Sequence, residues 1–247
     1  MVRALRNLGI SFARRLRPVI WPFLAKFYRS GPARASGLML FALGIADPSY
    51  RKDFSTLARI VDTMPEFEGG IIECGVYRGA TLLGVAHRLA LRGIHGIKMI
   101  GCDSFEGFPE PSTEDSLGDG AFHETALKGV FSDTSYDGLR FRIEGLGYSN
   151  DIQLLRGFFE HTLPQLSNQT FSIAHIDCDL YQSYVTSLEC LYPRMVKGGY
   201  MIFDEYDFSR SAYPGAQKAI DSFFADKPEK LTWFDDLEDR RCFIVKQ

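Results

Sequence analysis

From Gly69 onward, short runs of apolar residues alternate with stretches in which apolar positions recur every three or four residues. Gly70 to Cys74, Ile97 to Cys102, Ile152 to Leu155, Phe171 to Ile176 and Tyr200 to Phe203 predict strands buried on both faces. Between them, Ala80 to Arg92, Tyr181 to Met195 and Ala216 to Ala225 have helical spacing. Strand and helix alternate, so the pattern predicts an α/β body built on a mostly parallel sheet. Near the C-terminus, Leu231 to Phe234 and Cys242 to Lys246 flank the polar stretch Asp235 to Arg241, which predicts an antiparallel pair closing one sheet edge. Glu110 to Glu124 carries five acids among Pro, Ser and Gly, too polar and broken for a core element, and reads as a mobile lid after a strand end.

The first 46 residues follow another pattern. Arg3, Arg6, Arg14 and Arg17 share one narrow arc of a helical wheel, with Leu5, Leu8, Phe12 and Leu16 opposite. Pro18 and Pro22 interrupt this basic amphipathic helix, and Ile20, Trp21, Phe23, Phe27 and Tyr28 continue it with aromatic residues. Such a segment packs on the body or on a second subunit, lies on a membrane surface, or acts as an Arg-rich targeting segment; the pattern leaves the three open. The chain therefore divides into an extension over 1–46 and a body over 47–247.

Charge sharpens that division. No Asp or Glu precedes Asp47, whereas eight basic residues do, and residues 47–247 carry a net of −11. The body offers no basic footprint for nucleic acid, so its expected ligands are small. The five cysteines lie far apart with no C-x-x-C spacing, which predicts reduced, disulfide-free thiols and a cytoplasmic chain. The longest apolar stretch, Ala35 to Ala46, has twelve residues, against roughly 20 for a membrane span.

Three clusters carry candidate chemistry. Ile72 to Thr81 contains E-x-G-x-x-x-G between a predicted strand and helix, where glycines let the backbone turn sharply near a ligand and the helix offers its positive N-terminal end. The spacing is neither G-x-G-x-x-G nor a P-loop, which disfavours a nicotinamide or triphosphate ligand. Glu73, one step before the strand end, is placed to meet a cationic amino group. Asp103 ends the second strand, where a carboxylate can accept both hydroxyls of a ribose. Asp177, Asp179, Asp204 and Glu205 then sit at the C-terminal ends of two apolar strands. Four such charges are costly together unless something positive compensates them, and an all-oxygen donor set favours Mg²⁺. Cys178 lies between two of these acids but alternates to the other face, as packing.

The strings IECGVYRGAT, CDSFEGFP, GFFEHTLP, HIDCDLYQS and LYPRMVKGGYMIFDEY resemble, in order, the macrocin O-methyltransferase (TylF) family of S-adenosylmethionine-dependent sugar O-methyltransferases, over residues of about 47 to 226. The resemblance implies a class I methyltransferase (Rossmann-like) fold, with a seven-stranded sheet and helices on both faces, and Mg²⁺-assisted methylation of a sugar hydroxyl on a small-molecule or glycan acceptor. It implies that Glu73 and Gly75 hold the methionine moiety of the cofactor and Asp103 its ribose. Tyr77, Gly79, Thr81, Ser104, Gly157 and Asp177 complete the implied cofactor site. Asp177, Asp204 and Glu205 match the metal acids, and Asp179 the general base. The family usually has Gly where this chain has Cys178 and a second Asp where it has Glu205, so a ligand one methylene longer faces the metal. His123 and His175 are alternative bases. A homo-oligomer is expected. A catechol-type Mg²⁺-dependent methyltransferase and a non-catalytic cofactor-binding partner protein are the competing readings.

Overall fold

The computed structural model describes residues 19–49, 51–116, 130–206, 213–238 and 241–247. The basic stretch before residue 19 and most of the expected lid, with His123, lie outside the described residues.

Three helices come first: α1 over 19–29, α2 over Gly37–Leu43 and α3 over Ser55–Thr63. The α/β body follows as β1 (Gly70–Cys74), α4 (Ala80–Leu91), β2 (Met99–Asp103), α5 (Tyr136–Leu146), β3 (Ile152–Arg156), the single turn α6 (Phe159–Thr162), β4 (Phe171–Ile176), α7 (Tyr181–Leu191), β5 (Met195–Phe203), α8 (Pro214–Phe224) and β6 (Cys242–Val245). The strands lie in the order β3-β2-β1-β4-β5-β6, all parallel except the final antiparallel pair.

Alternation along each buried strand feeds two cores. Ile71, Met99, Ile173 and Ile202 face a cluster with Leu57, Ile60, Leu82 and Ile143 from α3, α4 and α5. Their neighbours Ile72, Ile100, Ala174 and Met201 face Tyr184, Leu188 and Ile220 from α7 and α8. All five cysteines are unpaired, and four of them are buried.

The described sheet has six strands rather than seven. Leu231 to Phe234 forms no strand; Thr232 alone bridges Phe243, through two backbone hydrogen bonds of 2.9 Å. Pro228 and the turn at 235–236 leave the segment too short to extend the ladder. β5 begins earlier than its apolar run suggests, because Val196 to Gly199 bulge outward between the pairs Phe171–Met195 and Ile173–Tyr200.

α1 is anchored to the body by Trp21, Ala25 and Tyr28, all buried in the first core. The Tyr28 hydroxyl is 2.8 Å from Nδ1 of His87 and is hydrogen-bonded to the Tyr148 hydroxyl. Burial holds His87 down to about 4, so it is a neutral packing residue. No described helix is long and apolar enough to cross a membrane.

Strand order reverses between β1 and β4, and their C-terminal ends open a crevice there. The loops beyond these strands touch. Gly75 has φ +88°, and a β-carbon on it would lie 1.7 Å from the Asp177 carbonyl oxygen. Gly75→Ala is expected to cost more than about 3 kcal/mol or to prevent folding. Gly93→Ala, also at positive φ but with nothing within 4 Å, should cost about 1 kcal/mol. Urea unfolding of the two variants checks the difference.

Candidate active site

The crevice widens into a cleft of about 1420 Å³ lined by every strand-end acid identified from the sequence: Glu73, Asp103, Asp177, Asp179, Asp204 and Glu205. Gly75, Tyr77, Thr81 and Ser104 line it too. Gly79 sits behind this wall as the left-handed cap of α4, and a β-carbon there would strike Leu139. Gly157 follows β3 and donates its N–H to the Asp103 carbonyl at 2.9 Å.

The turn after β1 is held by Asp103. Its Oδ2 accepts the Tyr77 N–H at 2.8 Å and its Oδ1 the Phe105 N–H at 2.7 Å. Burial raises its pKa against the pull of these donors. Beyond these donors a carboxylate has capacity to accept further hydrogen bonds, and Asp103 lines the cleft. Glu73 is 4% exposed; His175 Nδ1 lies 3.0 Å from its Oε1, while Oε2 is buried with no hydrogen-bond partner among the described residues. An orphaned carboxylate oxygen at a cleft wall is a vacant acceptor for a cationic donor.

At the ends of β4 and β5 the remaining acids converge. Asp177, Asp204 and Glu205 each bring an oxygen within 4.8 Å of the others, and Glu73, His175 and Asp177 form a second such group. Burial, with the neighbouring charge of Asp204, pushes Asp177 well up and Asp179 up to about 7. Glu205 rises through burial and the charge of Asp179. Asp204 alone goes down: burial opposes it, but His175 and Arg241 prevail. Arg241 Nε is 2.5 Å from Asp204 Oδ1, and His175 Nε2 is 3.8 Å from the same oxygen. His175 is itself pulled down by burial but carried to about 10 by the carboxylates of Asp204 and Glu73. Both ring nitrogens face carboxylates, an arrangement that favours the charged imidazolium over a base role. Asp179 adopts φ +62°, a conformation that favours glycine and that turns its side chain into the cleft beside the cluster.

Three residues were missed from the sequence. Arg241 lies in a polar connection with no local signal. Arg142 clamps the Leu43 and Gly44 carbonyls at 3.1 and 2.8 Å, joining α5 to the end of α2. Asp115 falls inside the stretch read as a lid, yet it is buried, accepts the Tyr181 N–H at 2.7 Å and closes a capping box with Ser112. The S-x-x-D spacing was the available signal for the last. Residues 112–116 are therefore pinned to the start of α7.

The chain matches the macrocin-O-methyltransferase (TylF) family over residues 51–235. It belongs to that family. It is 31% identical over 139 residues to the 8-demethyl-8-(2,3-dimethoxy-alpha-L-rhamnosyl)-tetracenomycin-C 4'-O-methyltransferase of Streptomyces olivaceus, a match covering 56% of this chain and 53% of the relative. The chain thus spans about half the length of that curated relative. Its fold is that of the O-methyltransferase NovP, at TM-score 0.67 and 24% identity over 79% of this chain and 80% of that one. A Bacillus cereus O-methyltransferase solved in complex with SAH has TM-score 0.54 at 15% identity, over 92% of this chain and 98% of that one.

Tyr184 supports the acid cluster from beneath. Its buried hydroxyl donates to Glu205 Oε2 at 2.6 Å and lies 2.9 Å from the Ile176 carbonyl oxygen. Tyr184→Phe should lower stability by about 1–3 kcal/mol, because it leaves a buried carboxylate without its donor. Denaturant titration at neutral pH measures the loss.

Proposed function

We propose that this protein is an S-adenosylmethionine-dependent O-methyltransferase that methylates a sugar hydroxyl of a natural-product glycoside. The observation that carries the reading is the pairing of two halves of one cleft: an orphaned Glu73 oxygen and Asp103 on one side, and a buried carboxylate cluster on the other. Family membership and the naming of the curated relative as a sugar-directed 4'-O-methyltransferase support it.

The residues fit both groups that the reading requires. Glu73 Oε2 would take the cofactor's amino group, and Asp103 its ribose hydroxyls. Gly75, lacking a β-carbon, lets the turn with Tyr77, Gly79 and Thr81 press against the cofactor, while Ser104 and Gly157 flank the ribose side. Asp177, Asp204 and Glu205 would hold Mg²⁺ through oxygens left over from Arg241 and Tyr184. When bound, the cofactor supplies an already activated methyl group, and the metal a local positive charge on the acceptor side. Asp179 takes the proton from the sugar hydroxyl on its carboxylate, which lines the cleft beside the acid cluster. The cleft walls align the acceptor oxygen with the methyl group, which is most of what such a reaction asks of a protein.

The outer face of α1 supports a second role, peripheral contact with anionic lipid. Phe23 and Phe27, at 76% and 54% exposure, form with Val19 a stripe four residues apart, beside Lys26 and Arg29. The eight cations before Asp47 fit a negatively charged surface, and the aromatic stripe fits its headgroup boundary.

Three outcomes are expected. Asp103→Ala should weaken calorimetric binding of S-adenosylmethionine at least tenfold with an unchanged circular dichroism spectrum; unchanged affinity would remove Asp103 from the site. Asp179→Asn should keep cofactor affinity but lose at least a hundredfold in methyl transfer, and chelation should slow the wild-type chain; full turnover in both experiments would refute the base and metal roles. The chain should sediment with phosphatidylglycerol vesicles but not phosphatidylcholine ones, and Phe23→Ser with Phe27→Ser should abolish this. Equal recovery with either lipid would argue against the membrane role.

A further inference from the structure

Four aromatic rings make a continuous wall along the cleft; only Tyr77 also belongs to the turn assigned to the cofactor, and the other three have no part in the cofactor and proton roles. Tyr77 meets Phe131 edge to face, with centroids 5.2 Å apart at 72°. Phe131 meets Phe108 at 5.2 Å and 77°, and Phe108 meets Tyr213 at 5.8 Å and 81°. All four line the cleft, although they come from separate segments: after β1, after β2, before α5 and before α8. The wall reaches the acid cluster, since the charges of Asp179, Glu205 and Asp177 add to burial in raising the Tyr213 pKa.

Two of these rings are held at a conformational cost. Tyr77 has φ +46° and Phe131 φ +58°, both in the region that side chains avoid. Phe131 is also 40% exposed, so its ring gains little from core burial. Gly107, at φ +92°, brings the Phe108 loop so close that a β-carbon would lie 2.8 Å from the Val130 carbonyl oxygen. Tyr77 is fixed by its hydroxyl, which donates to Asp133 at 2.5 Å. Strain that displays apolar rings toward a cleft has its return in what the rings bind.

Charge narrows the ligand. Ten carboxylates line the cleft against five Lys and Arg side chains, and each of those cations is engaged. Arg51 pairs with Asp53 at 2.6 Å, Lys52 with Glu238, Arg78 with Asp133, and Arg241 with Asp204. Arg142 holds main-chain carbonyls. Apart from the metal proposed at the acid cluster, no unengaged cation among the described residues lining the cleft offers itself to a nucleotide diphosphate.

We infer that the acceptor sugar is presented on a flat, uncharged aromatic aglycone that stacks on the Tyr77–Phe131–Phe108–Tyr213 wall, in preference to a nucleotide-activated sugar. This rests on the sugar O-methyltransferase reading and names its substrate class. Aromatic faces recognise a planar aglycone through offset or edge contacts and need no charge to do so.

Saturation-transfer NMR on the full chain with S-adenosylhomocysteine tests it, using 4-nitrophenyl glycosides of several sugars against dTDP-glucose. The aryl protons should show the strongest transfer, and Phe131→Ala and Phe108→Ala should each weaken aryl-glycoside affinity at least tenfold. Phe131→Tyr, which keeps the ring, should restore it. Calorimetric affinity for S-adenosylhomocysteine should not change in any variant. If that affinity is absent from the wild-type chain, the methyltransferase reading itself fails. If it is present, tighter binding of dTDP-glucose, absence of aryl contact, or aryl binding indifferent to Phe131→Ala and Phe108→Ala would overturn the inference.

Discussion

The structure is organised around the burial of negative charge at the ends of three adjacent strands. Glu73 from β1, Asp177 beyond β4, and Asp204 with Glu205 beyond β5 share one small volume, with Asp179 at its edge. Carboxylates brought together in a protein interior repel one another and lose their hydration, so the surrounding fold has to supply donors and cations. Part of that supply is intrinsic. His175 sits between Glu73 and Asp204, Arg241 reaches Asp204 from just before β6, and Tyr184 donates to Glu205. The remainder is left open at the cleft: the second oxygen of Glu73 has no partner among the described residues, and Asp177 is held well above its ordinary range. A cationic amino group at one end and a divalent cation at the other would complete the compensation.

The parallel sheet makes this concentration possible. Its strands all end on the same side, so residues distant in sequence become neighbours with no special loop. Gly75 against the Asp177 carbonyl fixes how closely the first and fourth of these ends approach. The cofactor half and the acid half of the proposed site are thus coupled through main chain, and both depend on a position where no side chain fits.

Much of this was legible in the residues. Gly70–Cys74 and Phe171–Ile176 were delimited by their apolar runs, because a strand buried on both faces is apolar at most positions; the exceptions, Glu73, Ser172 and His175, are buried as well. The strand-end acids were equally visible, since a carboxylate after such a run stands out. Residues 231–234 have strand composition but form one bridge, because neighbouring turns decide whether a short segment can pair. Arg241 was not legible: its meaning comes from a contact with Asp204, a residue 37 positions earlier. Asp115 was misread for the same reason, as its partners Tyr181 and Gly215 arrive from far along the chain. Compositional polarity shows that a segment avoids the apolar core, but not which backbone donor it caps.

The most direct test of the account is a crystal structure of the full chain with S-adenosylhomocysteine bound. The account predicts the ligand's amino group within about 3 Å of Glu73 Oε2, the oxygen without a partner among the described residues, and its ribose hydroxyls on Asp103. A ligand seated elsewhere, or one that leaves Glu73 Oε2 unpaired, would contradict the assignment of this cleft as the methyl-transfer site.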